Sequence, residues 1–202
     1  MKIGSHNSFT YLPVKQWWMK LFRFVGRCQR VDYLKQLELG VTFFDLRIRF
    51  DENQMPVICH GAMKFKHSDT FISDMMKDIQ KNYPGITMRV VLEINNKDSY
   101  QEFCFRQFCK DIETKYDKIN FCGGNNRTDW LCENPLYKFK NPLPNLWGMY
   151  SSTTSLFTSS SYILKKIDDW IPFFYANRFN KFNYHNQISD DKYLFIDFVD
   201  IK

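Results

Sequence analysis

The sequence predicts an α/β fold, a small parallel barrel of about eight strands that alternate with helices. Short apolar runs of strand length alternate with longer amphipathic runs along most of the 202 residues. Polar side chains follow several of the apolar runs, as expected where the carboxyl ends of parallel strands meet at one rim. No repeat or linker divides the chain, so a single domain over residues 1–202 is predicted.

Composition limits the class of protein. Hydrophobic residues make up 44% of the chain and aromatic residues 18%, which indicates a packed core rather than disorder. The net charge of +6 favours an anionic substrate or surface. Because no lysine-rich tail is present, no nucleic-acid partner is expected. The six cysteines show neither Cys-x-x-Cys nor zinc-like pairing with histidine, and reduced thiols are expected.

The expected location is cytoplasmic or peripheral at a membrane. No apolar run approaches the ~20 residues that a membrane-spanning helix needs. His6 lies too near Met1 for a charged segment and an apolar run to precede it, so no signal peptide is predicted. A monomer is expected.

The first part of the chain is predicted to contain three strands and two helices. The turn between the second and third strands is too short for a helix, so that pair departs from the regular repeat of strand and helix. In order, the elements are a strand at 2–6, a helix opened by Pro13 that spans 15–25 and ends at Gly26, a helix at 31–39 ended by Gly40, and strands at 41–50 and 56–59.

The remainder is predicted to supply five more strands and three more helices. Spacing of apolar residues and capping signals define the helices, whereas short apolar runs define the strands. First come a helix capped by Ser68 with its apolar face at 71–79, a strand at 87–95, and a helix from 99 to about 116 with Ser99 and Glu102 at capping-box spacing. A strand at 118–122 and a loop at 123–126 follow. The last elements are strands at 146–151 and 171–175 around a helix at 159–170, and a strand at 192–199.

The segment 40–61 carries the most informative pattern. Side chains alternate between the two faces of a strand, so one face of the strand at 41–50 presents Asp45 and Arg47 while the other is apolar. A half-exposed strand would show the same alternation. The short apolar run that follows ends at His60, which indicates a buried strand that delivers this histidine to a rim.

Five predicted strands end in polar residues that we expect to share one rim. They are His6, Asp45 with Arg47, His60, Glu93 with Asn95, and Asp197. Two histidines can serve as base and acid near neutral pH, and an arginine offers a fixed fork of donors to phosphate oxygens. The set predicts cleavage of a phosphodiester without a metal. His67 and His185 are expected to be structural.

Three stretches resemble the X-domain of phosphatidylinositol-specific phospholipase C, of the metal-independent bacterial type. They are Ser5-His6-Asn7-Ser8, Leu39-Gly40-Val41 with Phe44-Asp45-Leu46-Arg47, and Val57-Ile58-Cys59-His60-Gly61, with a fainter likeness at 194–199. The resemblance covers about the first third of the chain. It implies a distorted TIM (β/α)8 barrel of the PLC-like phosphodiesterase type. It also implies cleavage of a phosphatidylinositol-like glycerophosphodiester to diacylglycerol and a cyclic phosphate.

The same resemblance assigns roles to the rim residues. It makes His6 the base on the inositol 2-hydroxyl, His60 the acid on the glycerol oxygen, Arg47 the phosphate clamp, Asp197 the partner of His6 and Asp45 the support of His60. Asp200 is the competing candidate for the role given to Asp197. Asn7, Glu93 and Asn95 are expected to bind the substrate headgroup, with a network of hydrogen bonds at the rim as the alternative.

No cofactor is expected, but two alternative functions stay open. Arg47 stands where calcium-dependent members of the resembled family carry a carboxylate, and its charge should repel Ca²⁺. Asn7 and Glu93 nevertheless resemble the calcium-type partners, so a calcium-dependent enzyme is one alternative. The other is a catalytically inactive domain that binds a phosphorylated headgroup or a non-lipid phosphodiester.

Contact with an anionic membrane surface is predicted for the segment 14–27. It contains Trp17 and Trp18, two phenylalanines and four basic residues, a composition suited to the lipid headgroup boundary. An amphipathic barrel helix with its aromatic side chains in the core is the alternative. The apolar positions span more of the circumference than one core face needs, so some aromatic side chains are expected to be exposed.

Overall fold

A computed structural model describes residues 2–147, 173, 176, 177, 180 and 192–201. The first elements are β1 (Lys2–Ser5), a 3₁₀ helix (Trp18–Phe22), α1 (Arg23–Gly26), α2 (Tyr33–Glu38), β2 (Val41–Phe50), β3 (Pro56–His60) and β4 (Met63–Lys64). They are followed by α3 (Phe71–Asn82), β5 (Thr87–Leu92), α4 (Ser99–Lys115), β6 (Asn120–Asn126), β7 (Leu146–Trp147) and β8 (Tyr193–Ile196).

Six strands pair in parallel in the order β6–β5–β2–β1–β8–β7. The end strands β6 and β7 are not paired with each other over their described residues, so the sheet is a partial and distorted barrel. The predicted α/β fold class and distorted barrel are confirmed. The strand pair without a helix is also confirmed, because β3 runs antiparallel to the end of β2. β4, which was not predicted, extends this antiparallel arm by pairing with β3.

The alternation of side chains along β2 separates two apolar clusters. Phe44, Leu46 and Ile48 are fully buried on one side, in the cluster that contains the apolar faces of α3 and α4. Phe43 faces the other side and packs with side chains of β6 and β8. Each fully buried aliphatic or aromatic side chain contributes about 1.5–3 kcal/mol. The helices therefore pack on the outer face of the sheet. Phe43 lies on the inner face, and the polar residues farther along β2 lie on that same face.

Two helix starts differ from the predicted caps. Thr70 rather than Ser68 precedes α3, although the Ser68 carbonyl accepts a hydrogen bond from the Phe71 N–H. At α4 the Asp98 carboxylate accepts from the Gln101 N–H, so the cap lies one residue before the predicted Ser99. A capping side chain needs only one or two free N–H groups in reach, and neighbouring polar residues compete for them.

The predicted helix at 15–25 is wrong at its start and is not one continuous α-helix, since a 3₁₀ helix at Trp18–Phe22 precedes α1. Val14 pairs with Phe65 in an antiparallel bridge, and the Lys15 N–H donates to the Lys64 carbonyl at 2.7 Å. The Lys66 N–H donates in turn to the Pro13 carbonyl, also at 2.7 Å. These bonds hold residues 13–15 extended, so helical structure begins only at the 3₁₀ turn and continues through the single turn α1.

The loop predicted at 123–126 is instead part of β6. Gly123 and Gly124 have φ angles of +84° and +80°, and the pairing with β5 shifts register between Val90 and Val91. A Cβ atom on Gly124 would lie 1.9 Å from the Tyr137 carbonyl oxygen. The two glycines therefore let the strand absorb a bulge and continue, where glycine had indicated a loop.

The remaining strand predictions are partly covered by the described residues. β5 ends before Glu93, β8 lies within the predicted 192–199, and β7 forms the first two residues of the predicted 146–151. The strand at 171–175 is wrong at its one described residue, because Phe173 is helical; a short apolar run alone does not distinguish strand from helix. Residues 148–151 and the helix at 159–170 lie outside the described residues. Among those that are described, no helix has the length and apolar character to cross a membrane.

Candidate active site

His6 lies directly after β1, inside the rim of the barrel, and is only 5% exposed. Its Nε2 atom is 2.8 Å from Nη2 of Arg47, and its Nδ1 atom is 2.8 Å from Oδ1 of Asp197. A guanidinium can only donate, so Nε2 accepts and the proton of a neutral ring lies on Nδ1, which donates to Asp197. Burial, then the charge of Arg47, lowers the pKa of His6 well below its ordinary value. His6 is therefore arranged as a neutral imidazole with a basic Nε2.

Arg47 is held inside the rim by two buried carboxylates. Its Nε donates to Oδ2 of Asp45 at 2.9 Å, and its Nη1 donates to Oε2 of Glu93 at 3.3 Å. Burial opposes the charge, but these two carboxylates outweigh it and raise the pKa of Arg47. The guanidinium is thus a fixed, buried cation whose Nη2 atom lies against His6.

His60 ends β3 and faces the same space as His6. The two imidazole rings are 6.3 Å apart between centroids and nearly perpendicular, at 83°. Nδ1 of His60 lies 2.9 Å from the Gly26 carbonyl, which can only accept, so Nδ1 carries a proton and Nε2 is left for other partners. Burial, then the charge of Arg47, lowers the pKa of His60. The Gly26 carbonyl therefore orients His60, a role that had been predicted for Asp45.

Asp45 instead forms hydrogen bonds with Arg47 and with the loop after β1. Its Oδ2 atom accepts from Arg47 and from the Asn7 N–H, the latter at 3.2 Å, and lies 3.9 Å from Nε2 of His6. Its backbone N–H donates to the Ser8 hydroxyl at 2.7 Å. Asp45 is fully buried, so it positions the arginine and the first histidine together.

The two carboxylates that follow β8 differ in their contacts. Asp197 is 5% exposed and faces His6, whereas Asp200 pairs with Arg30 at the surface. Burial raises the pKa of Asp197, while nearby Arg47 opposes the change. The Phe198 N–H donates to the Cys28 carbonyl at 2.7 Å, which ties this end of the chain to the segment after α1.

The three residues expected to bind a headgroup are not equally placed. Asn7 is buried, with a left-handed φ of 44°, and its Nδ2 atom lies 3.0 Å from Nε2 of His6. Glu93 is fully buried and accepts from Arg47 and from the Gly61 N–H at 2.9 Å, and it forms an ion pair with Arg127 at 3.4 Å. These contacts match the alternative of a hydrogen-bond network at the rim. Asn95 is exposed, two residues farther along. Direct contact of these side chains with a substrate stays a prediction.

A cavity of about 630 Å³ joins the two histidines to an apolar surface. Its polar lining includes His6, His60, Asp197 and Arg127, and its apolar lining includes Trp18, Met19, Phe22 and Val25. Trp17, beside this lining, is 79% exposed and Trp18 is 51% exposed. The exposure expected for aromatic side chains in this segment is thus observed, although the segment is not the continuous helix that was predicted.

Sequence reasoning missed four residues of this region: Cys28, Arg89, Arg127 and Trp130. Arg89 is fully buried opposite Asp45 in the register of β2 and β5, and its guanidinium lies 4.5 Å from the centre of the Trp130 ring. The Arg47 guanidinium is 5.3 Å from the same ring. A charged residue inside the apolar run of β5 was the available signal for Arg89. No local sequence pattern indicated Cys28, Arg127 or Trp130.

The other two histidines were expected to be structural. His67 bears this out, since its Nε2 accepts from the Ile58 N–H at 3.2 Å and its Nδ1 donates to the Ser68 carbonyl at 2.9 Å. His185 lies outside the described residues.

An arginine lies among the residues that resemble a calcium site. Oδ2 of Asp45 accepts from Arg47 and from the Asn7 N–H, and the Glu93 oxygens accept from Arg47 and the Gly61 N–H and form an ion pair with Arg127. Oδ1 of Asp45 and Oδ1 of Asn7 are buried without a hydrogen-bond partner among the described residues. The Arg47 guanidinium lies between the two carboxylates, where a cation would have to bind. Among the described residues, the one group with the composition and spacing for a metal is His6, Cys28 and Asp197, which is not the oxygen-rich set that Ca²⁺ prefers.

The site therefore lies inside the rim of a partial parallel barrel, with His6 directly after β1, Arg47 within β2 and His60 at the end of the antiparallel strand β3. The chain belongs to the family described as phosphatidylinositol-specific phospholipase C, X domain, which it matches over residues 5–114. The resemblance seen in three short stretches of sequence is thereby confirmed.

Relatives and solved structures agree with this assignment. The chain is 28% identical over 129 residues to 1-phosphatidylinositol phosphodiesterase of Staphylococcus aureus strain Newman, a match that covers 60% of this chain and 39% of that protein. In fold it is similar to phosphatidylinositol-specific phospholipase C from Listeria monocytogenes, with a TM-score of 0.62, 17% identity and coverage of 98% of this chain and 87% of the other. A structure of the S. aureus phosphatidylinositol-specific phospholipase C gives a TM-score of 0.58 at 17% identity. This match covers 98% of this chain and 85% of the other. Because the match to the S. aureus strain Newman protein covers 39% of that protein, the chain spans well under half of the length of this curated relative.

Proposed function

We propose that this domain is a metal-independent phosphodiesterase of phospholipase C type that acts on a phosphatidylinositol-like glycerophosphodiester through a cyclic phosphate. The observation that carries the proposal is the convergence of His6, Arg47 and His60 on one cavity rim, with Arg47 bound to Nε2 of His6. The names of the S. aureus relatives and the description of the family support the substrate class.

The base in this mechanism is Nε2 of His6. An anionic phosphate competes for the Nη2 donor of Arg47, while Asp45 and Glu93 keep the rest of the guanidinium in place. The lone pair of Nε2 is then available to take the proton of the attacking headgroup hydroxyl. Asp197 accepts from Nδ1 and stabilises the imidazolium that results.

The acid is Nε2 of His60. Its other nitrogen is fixed on the Gly26 carbonyl, so the ring presents Nε2 toward the cavity that it shares with His6. The pKa of His60 is lowered in the free protein, and a bound phosphate anion would raise it. Substrate binding thus favours the protonated form that delivers a proton to the leaving glycerol oxygen.

A headgroup-binding domain without catalysis is the competing function. Such a domain needs a cation like Arg47 but does not need two histidines of opposite role at the same rim. The calcium-dependent alternative is disfavoured by the guanidinium that separates Asp45 from Glu93.

A panel of phosphoinositides and lysolipids, assayed for diacylglycerol and cyclic phosphate with and without a strong chelator, tests the proposal. We expect turnover of at least one inositol lipid, unchanged by chelation. Tight headgroup binding without turnover would instead select the inactive binding domain. Activity that is lost on chelation and restored by Ca²⁺ would mean that Asn7, Asp45 and Glu93 hold an ion despite Arg47.

The pH profile of kcat/KM is expected to be bell-shaped, with its optimum on the acidic side of 6.5. His6 must be neutral, and its lowered pKa keeps it neutral below 6.5. His60 must be protonated, and its lowered pKa makes the activity fall as pH rises toward 6.5. The measurement is initial rate against pH on a water-soluble substrate, which avoids effects of pH on lipid surfaces.

The basic limb of kcat provides the internal control. Because bound phosphate raises the pKa of His60, this limb should lie at higher pH than the basic limb of kcat/KM. An optimum on the alkaline side of 6.5, or two basic limbs that coincide, would argue against His60 as the acid.

The apolar lining of the cavity is proposed to bring the site to an anionic membrane surface. Trp17, Leu21 and Phe22 are all more than half exposed, and Lys20 and Arg23 lie among them in the chain. Tryptophan and phenylalanine suit the headgroup boundary, and basic residues suit anionic lipid. Because Trp18 and Phe22 also line the cavity, insertion of this segment would place the two histidines close to the lipid headgroups.

The double variant Trp17→Ala/Trp18→Ala is expected to bind anionic vesicles at least about tenfold more weakly, since each large apolar side chain contributes about 1.5–3 kcal/mol on full burial. Cleavage of a soluble substrate should stay nearly intact. The free energy of unfolding should change by less than about 1 kcal/mol, because both side chains are exposed. Vesicle sedimentation, a soluble-substrate assay and urea unfolding measure the three quantities.

Phe103→Ala is the matched control, since Phe103 is 55% exposed on α4 and does not line the cavity. It should leave vesicle binding unchanged. If the tryptophan variant loses stability together with both activities, the segment is part of the core and the membrane proposal fails.

A further inference from the structure

A cysteine that the proposed mechanism does not use lies between the two histidines. The Cys28 N–H donates to the Thr10 hydroxyl at 2.9 Å, and the Cys28 carbonyl accepts from the Phe198 N–H, so the residue is fixed on both sides of its peptide. Its Sγ atom, a ring nitrogen of His6 and a carboxylate oxygen of Asp197 all lie within 4.8 Å of one another. Cys28 Sγ is also 3.9 Å from Nδ1 of His60.

These four atoms form a donor set that suits zinc. Thiolate, imidazole and carboxylate are its usual ligands, at about 2.0–2.3 Å in a tetrahedron, which places ligand atoms roughly 3–4 Å apart. Nδ1 of His6 is 2.8 Å from Oδ1 of Asp197, and Sγ of Cys28 is 3.9 Å from Nδ1 of His60. The ligand atoms of His6, Cys28 and Asp197 lie within 4.8 Å of one another, so small movements of the side chains would bring them to that scale. All four side chains line the 630 Å³ cavity, so an ion can enter from solvent.

The charges also balance. A Cys28 thiolate and the Asp197 carboxylate together neutralise Zn²⁺, whereas the charge of Arg47 is already matched by Asp45 and Glu93. The second nitrogen of a metal-bound histidine usually donates to a carboxylate. Here Nε2 of His6 lies 3.9 Å from Oδ2 of Asp45, which it reaches once Nη2 of Arg47 moves aside.

We propose that His6, Cys28 and Asp197, with His60 as a fourth ligand, form an inhibitory site for Zn²⁺. On binding, the thiol proton of Cys28 is released to solvent. The ring protons of His6 and of His60 each move from Nδ1 to Nε2, and His60 gives up its hydrogen bond to the Gly26 carbonyl. Zinc takes the place of the hydrogen bond between His6 and Asp197. With a proton on Nε2, His6 no longer accepts one from a substrate. The inhibition rests on the proposed function, whereas the metal binding does not.

Metal binding is tested first without any substrate. Co²⁺ is added to the metal-free protein as a spectroscopic substitute, and Zn²⁺ affinity is measured by competition with a chromophoric chelator. The wild-type protein should show the charge-transfer absorption of a cobalt–thiolate bond. Cys28→Ser should lose it and bind Zn²⁺ more than about 100-fold more weakly, because loss of even an outer partner weakens binding about 10–100-fold.

Cys132→Ser is the matched control, since Cys132 is the one described cysteine that is not buried. It should keep both the absorption band and the zinc affinity. A wild-type protein without the thiolate band, or a band that disappears in Cys132→Ser, overturns the proposal. The wild-type and Cys132→Ser measurements decide the matter even where Cys28→Ser does not fold.

Inhibition is tested second, on a preparation with phosphodiesterase activity. Zinc should inhibit the wild-type protein at concentrations that follow its measured affinity, and the remaining activity of Cys28→Ser should resist the same concentrations. Inhibition that is equal in both proteins would overturn the inhibitory role. If no turnover of any lipid is found, the proposed function fails, while the spectroscopic result still decides whether the zinc site exists.

Discussion

A His6→Ala variant is expected to lose about 10²–10⁴-fold in kcat, because it lacks the group that takes the proton of the attacking hydroxyl. KM should change little, since Arg47 keeps its bonds to Asp45 and Glu93. The measurement is steady-state cleavage of a soluble phosphodiester, with urea unfolding to verify that the variant is folded. Removal of a buried ring leaves a cavity, so a moderate loss of stability is expected as well.

His67→Ala is the matched control, because His67 makes only backbone hydrogen bonds and does not line the cavity. It should reduce stability without a comparable loss of kcat. Asp197→Asn separates positioning from packing, since an amide of nearly the same shape disfavours the Nδ1 proton on His6. It should lower kcat with KM nearly unchanged. A His6→Ala variant that keeps kcat within a few fold of wild type would remove His6 from the mechanism.

The parts of the fold that could be predicted from sequence are those set by local periodicity. The alternation of Val41–Phe50 predicted both faces of β2, because successive side chains of a strand alternate and a shift of one residue would exchange its apolar and charged sets. The helices α2, α3 and α4 followed from apolar spacing and from stops such as Gly40, whose φ of +91° only glycine adopts easily. Polar residues at strand ends predicted that His6, Arg47 and Asp197 would meet.

The parts of the fold and the site that sequence did not predict depend on contacts between segments that are distant in the chain. Residues 13–15 are extended because they bond to residues 64–66, and no pattern within 13–26 indicates that partner. The bulge of β6 depends on Tyr137, which contacts the backbone of Gly124 from another segment. Cys28 was unremarkable in sequence, since its position between the histidines is set by bonds to Thr10 and Phe198. Tertiary contacts of this kind override local signals.

Arg47→Lys is expected to lower kcat/KM by about 10²–10³-fold, as the loss of one preorganised donor to a developing phosphate charge does in other enzymes. A lysine keeps the positive charge, but a single ammonium group cannot reach Asp45, Glu93 and the phosphate in the directions that the guanidinium fork provides. Arg47→Met also removes the positive charge, so Asp45 and Glu93 stay buried without their cation. It should lower the free energy of unfolding by about 3–5 kcal/mol. Steady-state kinetics and urea unfolding measure the two effects.

Arg106→Lys and Arg106→Met are the matched controls. Arg106 pairs with Glu102 on the outside of α4 with half of its side chain exposed, where an ion pair contributes about 0–1 kcal/mol. Neither change should alter kcat/KM, and stability should shift by less than about 1 kcal/mol. A folded Arg47→Lys variant with nearly normal kcat/KM would mean that charge alone suffices at this position. An Arg47→Met variant as stable as wild type would mean that Asp45 and Glu93 are neutral or find other donors, and the arrangement of the clamp would then need revision.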